Sequence, residues 1–91
     1  MTQARRYIVR GRVQGVGYRY FAKGMAERLG VTGFVRNLSN GDVEVVAEAD
    51  SVTLALLKEE LERGPRMSRV NEVIVNEVPV SGKYSSFSIR G

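Results

Sequence analysis

Two strand-like runs, 31–38 (VTGFVRNL) and 43–49 (VEVVAEA), occupy the middle of the chain, separated only by Ser39, Asn40, Gly41 and Asp42. Asn-Gly is the strongest short hairpin signal, because both residues tolerate positive φ. An antiparallel hairpin is therefore expected at the centre of the chain, and every other element has to fit around it. In its second strand Val43, Val45, Ala47 and Ala49 alternate with Glu44 and Glu48. That pattern predicts an apolar face toward a core, with both glutamates facing water.

The flanks repeat one plan. Residues 5–13 place Tyr7, Val9, Gly11 and Val13 on one face and Arg6, Arg10 and Arg12 on the other, with Ile8 as the exception, so a strand is expected. Phe21, Ala22, Met25, Ala26 and Leu29 then follow at helical spacing and Gly30 supplies the stop. Gly24 weakens this helix by about 1 kcal/mol relative to alanine, which points to close packing at that position. Beyond the hairpin, Asp50 or Ser51 caps a second helix with a stripe of Leu54, Leu57 and Leu61, ended by Gly64-Pro65. Residues 70–78 read as a fourth strand, and 85–90 as a short last one with Phe87 and Ile89 inward.

The order is βαββαβ plus a short terminal strand. Two helices over one face of a mostly antiparallel sheet bury both helical stripes, which is an α+β, ferredoxin-like two-layer sandwich. Ninety-one residues suit a single domain, 1–91, without linker, repeat or low-complexity run.

Composition narrows the chemistry. The chain has no histidine and no cysteine, so imidazole bases, thiolate nucleophiles, disulfides and the usual zinc sites are excluded. Catalysis has to rest on carboxylates, hydroxyls, arginine, amides and backbone dipoles, and neither metal nor cofactor is expected. Residues 1–41 carry +7 and residues 42–91 carry −3, so the first half holds the preference for anions. MTQARRY lacks the apolar run of a signal peptide and no segment has the length of a membrane span, so a cytoplasmic protein with no membrane partner is expected.

Between the first strand and the first helix lies VQGVGYR (13–19). Helix N-terminal N–H groups lack internal partners and attract anions, and Gly15 and Gly17 permit the dihedrals that gather N–H groups into a concavity. Arg19 adds a planar fork that grips phosphate oxygens bidentately. The loop is neither a Walker A nor a dinucleotide fingerprint. On loop physics alone two alternatives stand side by side, an ordinary turn carrying an exposed arginine and a phosphate site. Asn37 is a second candidate, since asparagine is depleted in strands. It is either an edge or pre-turn position, or an amide that holds an attacking water. Asn37-Leu38-Ser39 also matches a glycosylation triplet, unsupported by any secretory signal. The other arginines, from Arg5 to Arg12, are expected to form a solvated strand face.

GRVQGVGYR (11–19) together with GFVRNLSNGDVE (33–44) closely resembles the two signature segments of the acylphosphatase family. The resemblance implies hydrolysis of the carboxyl–phosphate bond of acyl phosphates to a carboxylate and inorganic phosphate. It implies a monomer acting on a small molecule by metal-free, in-line attack of water, with inorganic phosphate as product and competitive ligand. By position Arg19 corresponds to the phosphate-binding arginine, and Asn37 to the asparagine that orients the water. The backbone of Gln14, Gly15, Val16, Gly17, Tyr18 and Arg19 corresponds to the phosphate-binding loop. Ala49 departs from the family pattern, which usually has glycine there, and this bears on local packing more than on activity.

A non-catalytic anion- or RNA-binding module of the same fold is the alternative. An RNA-recognition sheet stacks bases on aromatics of its central strands, whereas VEVVAEA has no ring, so nucleic acid is not the expected partner. A relative of this domain within larger maturation proteins is a further alternative, and the end of the chain at Gly91 favours a free-standing enzyme.

Overall fold

The computed structural model describes residues 1–91. Seven elements succeed one another: β1 (Gln3–Arg12), α1 (Tyr18–Leu29), β2 (Thr32–Asn37), β3 (Val43–Ala49), α2 (Ser51–Arg63), β4 (Arg69–Val78) and β5 (Phe87–Arg90). The strands form one sheet in the order β4-β1-β3-β2-β5. β1 runs antiparallel to β3 and β4, β2 runs antiparallel to β3, and β5 adds to the β2 edge in parallel. This is the ferredoxin-like α+β fold expected from the element order.

Register decides which side chains share a face. Tyr7, Val45, Val35 and Ile89 form one row across the sheet, and Val9, Val43 and Asn37 form the next. Directly opposed residues project to the same side. The apolar members of both rows meet Ala22 and Ala26 of α1 and Leu54, Leu57 and Leu61 of α2 in one core. Tyr7 drives its hydroxyl through this core to donate to the Leu54 carbonyl at 2.9 Å. Asp50 caps α2 by accepting from the Thr53 N–H at 2.8 Å. Ala49 closes β3 opposite Gln3, at the strand end remote from Val43 and its partner Asn37.

The first helix differs from its sequence pattern. It starts at Tyr18, ahead of the apolar spacing that begins at Phe21, and its buried stripe is Tyr18, Ala22 and Ala26. Met25 and Leu29 pack only at the margin of the core. No close packing explains Gly24, since a Cβ built there meets nothing within 4 Å. In the hairpin, Asn40 does not take positive φ. Its side-chain oxygen instead accepts from the Asp42 N–H at 3.0 Å, and Gly41 alone takes positive φ in the turn.

The outer face corrects two further expectations. Glu44 and Glu48 do not face water; they are only 4% and 6% exposed. Glu44 lies between Arg6 and Arg36, each of which donates its Nε–H to one carboxylate oxygen. Burial pushes the Glu44 carboxyl up, but those two arginines outweigh it and hold it below the usual carboxylate range. The connection from β4 to β5 crosses this face from one edge to the other. On the way the Ser81 N–H (2.8 Å), the Ser81 hydroxyl (2.9 Å) and the Gly82 N–H (3.1 Å) all donate to Glu48. Tyr84 then packs beside Phe34, with the Arg90 guanidinium 4.0 Å from the Phe34 ring centroid. The arginines of β1 are not simply a solvated face either. Arg6 is bound to Glu44, Arg10 pairs with Asp42 and Glu72, and Arg5 sits in register with Ala47 on the inner side. No helix is long and apolar enough to cross a membrane.

Candidate active site

Sheet order places the two candidate segments at the same end of the molecule. β1 runs out at Arg12 after a bulge at Arg10/Gly11, and the chain enters α1 through residues 13–17. Bulges re-aim the end of a strand and recur beside active sites. Gly15 (φ 73°) and Gly17 (φ 78°) both take the left-handed conformation, which costs a side-chain-bearing residue about 1–2 kcal/mol. Gly17 is the N-cap of α1 and offers no side chain to its N–H groups. The first intrahelical bond runs from the Phe21 N–H to the Gly17 carbonyl, so the N–H groups of Tyr18, Arg19 and Tyr20 have no partner within the helix. No acidic residue occupies the first turn, and the positive end of the helix dipole is left uncompensated.

Asn37 reaches this place from β2. It stands opposite Val43 in the row that faces the helices, at the last position of β2 and past the end of the β5 ladder. Its Oδ1 is buried and has no hydrogen-bond partner. A buried acceptor left unpaired costs about 1–3 kcal/mol, so such a group calls for a ligand that donates to it.

A cavity of ≈ 120 Å³ collects these groups: Gly15, Gly17, Arg19 and Asn37 all line it, together with Val13 and Tyr20. The start of α1, the arginine and the asparagine therefore border a single space. Its walls carry no carboxylate, so no side chain there is an obvious general base. Nowhere do three or more carboxylates gather as a metal site would require. A larger groove of ≈ 200 Å³ lies between the helices, lined by Met25, Arg28, Leu29, Leu56, Glu59 and Glu60. It mixes charges of both signs with aliphatic surface and has none of the convergent donors of the smaller cavity.

The other loop residues divide by role. Val16 packs against the core. Tyr18 contributes its backbone to the helix start while its ring is 1% exposed and its hydroxyl donates to the Leu61 carbonyl at 2.6 Å. Burial pushes that phenol well above its ordinary pKa, so it remains a donor. The Gln14 side chain leaves the loop and donates to the carbonyls of Leu38 and Asp42. Sequence reasoning missed the Gln14 side chain and the exposed Tyr20 at the cavity. Tyr20 was in principle accessible: with Tyr18 on the buried i, i+4 stripe, a residue two places on points away from the core.

On the outer face β1 and β3 present Arg6, Ile8, Arg10, Glu44, Val46 and Glu48, none of them aromatic, while the Phe34 ring of β2 is covered by Tyr84 and Arg90.

The acylphosphatase family model matches residues 5–89. An acylphosphatase of Koribacter versatilis is 46% identical over 90 residues, which cover 99% of this chain and 82% of that one. Another, of Solibacter usitatus, is 49% identical over 89 residues, covering 98% of this chain and 92% of the relative. The crystal structure of acylphosphatase from Bacillus subtilis superposes with a TM-score of 0.93 at 37% identity and covers 100% of both chains.

Proposed function

The chain belongs to the acylphosphatase family, and we propose that its hydrolysis of acyl phosphates is carried out by Arg19, Asn37 and the backbone of residues 14–19. The activity is that of a hydrolase, splitting the carboxyl–phosphate bond to a carboxylate and inorganic phosphate. The observation that supports this division of roles is the single cavity lined by the uncapped start of α1, Arg19 and Asn37.

In this scheme the phosphate group lies against the N–H groups of the loop and the first turn of α1, with the Arg19 fork on its oxygens. Asn37 accepts a hydrogen bond from a water and aligns it with the bond from phosphorus to the acyl oxygen. The water oxygen attacks phosphorus, the P–O bond to the acyl group breaks, and its electron pair leaves with the carboxylate. The proton of the water passes to a phosphate oxygen of the substrate. A carboxylate is already a good leaving group, so positioning and charge stabilisation supply most of the barrier lowering.

The working unit is the domain 1–91, acting as a monomer in the cytoplasm, and the inorganic phosphate it releases competes for the same cradle. Hydrolysis of benzoyl phosphate in the presence of a chelator tests the reading. The wild-type chain should turn over with the chelator present, and Asn37→Ala should lose most of that turnover while keeping its far-ultraviolet circular dichroism. Wild-type rates in Asn37→Ala would remove the water-positioning role.

A further inference from the structure

Gln14 carries more than its backbone into the site. Its Nε2 donates both protons across the fold, to the Leu38 carbonyl at 2.7 Å and to the Asp42 carbonyl at 2.8 Å. Both acceptors belong to the connection between β2 and β3, and Leu38 directly follows Asn37. Each carbonyl also accepts a backbone bond within that connection, from Gly41 and from Leu38 respectively. A primary amide is the neutral side-chain group with two planar donors, and glutamine has the length to place both.

Topology gives this pair of bonds its significance. The phosphate loop leaves β1, whereas Asn37 ends β2, and β3 lies between those strands in the sheet. No ladder joins β1 to β2, so the backbone hydrogen bonds of the sheet set the distance from loop to Asn37 only through β3. The Gln14 side chain spans that gap directly. The Gln14 side chain is not part of the cavity wall, and it turns instead to the two carbonyls of the β2–β3 connection.

We propose that Gln14 is a positioning residue for the hydrolysis: its side chain fixes the phosphate loop relative to Asn37, and thereby the line of attack of the water. This rests on the roles assigned above to the loop and to Asn37. A misplacement of about 1 Å in a reacting geometry costs on the order of 10²-fold in rate. A staple of this kind therefore acts on kcat and leaves phosphate affinity nearly untouched, because the loop N–H groups and Arg19 stay together on their own helix start.

The test is a double-mutant cycle on the full chain with Gln14→Met, Asn37→Ala and the double variant. It reads kcat and KM for benzoyl phosphate and the inhibition constant of inorganic phosphate. Gln14→Met keeps the length of the side chain and removes both donors. It should lower kcat about 10- to 100-fold with the phosphate constant changed by less than about threefold. In the Asn37→Ala background the same change should lower kcat by less than about threefold, since there is no longer an aligned water to misplace. Fully additive losses, an unchanged kcat, or a phosphate constant that rises in step with the loss of kcat would each overturn the proposal. Wild-type turnover in Asn37→Ala alone would sink the underlying assignment of Asn37, a failure visible in a different corner of the cycle. If Gln14→Met does not fold, Gln14→Asn takes its place, keeping the amide but falling one methylene short of both carbonyls.

Discussion

The hydroxyl of Tyr18 donates a 2.6 Å hydrogen bond to the Leu61 carbonyl, joining the first turn of α1 to the last turn of α2. The carbonyls of a final helical turn have no partner within their own helix, so Tyr18 satisfies a group that would otherwise be orphaned. The bond also ties the residue immediately before Arg19 to the end of α2. Tyr18→Phe should lower stability by about 1–2 kcal/mol through the unpaired carbonyl. Because the ring remains buried, the inhibition constant of phosphate should stay within a few-fold of wild type. Urea unfolding and inhibition kinetics read the two effects separately.

Arg19→Ala should reduce kcat/KM for benzoyl phosphate by about 10²–10³-fold, the usual loss when one preorganised donor to a developing charge is removed, about 3–4 kcal/mol. Arg19→Lys should restore only part of this, because a point charge replaces a two-pronged planar donor. Circular dichroism should remain that of the wild type in both. An Arg19→Lys rate equal to wild type would show that charge alone suffices.

Glu44 predicts an acid limb of stability. Burial raises its pKa, yet the hydrogen bonds from Arg6 and Arg36 outweigh this and leave it depressed in the folded state. A depressed carboxyl contributes stability that is complete above the unfolded value of about 4.3 and is lost as pH falls through the folded value. Glu44→Gln should therefore be less stable than wild type by about 1–3 kcal/mol near neutral pH. That difference should shrink once the pH lies below both values. Urea midpoints measured near pH 7 and again in strong acid check the sign, and a gap that widened in acid would contradict the arrangement.

Gly24→Ala should raise stability by about 0.5–1 kcal/mol, because alanine is the better helix former and the added methyl meets nothing within 4 Å. Turnover should not change, as Gly24 is not in the cavity wall. A lower melting temperature in this variant would mean that the helix packs more tightly at Gly24 than its surroundings indicate.

Much of this molecule could be read locally. The alternation of Tyr7 and Val9, the spacing of Leu54, Leu57 and Leu61, the Asp50 cap and the stops at Gly30 and Gly64 are each decided by residues a few positions apart, and the structure keeps all of them. The glycines at 15 and 17 likewise marked a turn open to positive φ, and both take it. Asn37 was conspicuous for the same reason, a polar side chain where the strand pattern has no use for one.

What escaped such reading depends on partners distant in the chain. Glu44 alternates like a solvent-facing residue, and only the fold brings Arg6, 38 positions away, to cover it. Glu48 has the same local pattern and is buried by Ser81, 33 positions on, where the last connection crosses the sheet. Gln14 looked like one more loop residue until the fold brought it against the Leu38 carbonyl, 24 positions away in the chain. Periodicity reports which way a side chain points relative to its own backbone. Whether that direction ends in water, in an ion pair or on another segment's carbonyl is settled by chain topology, because the desolvated partner belongs to a different element.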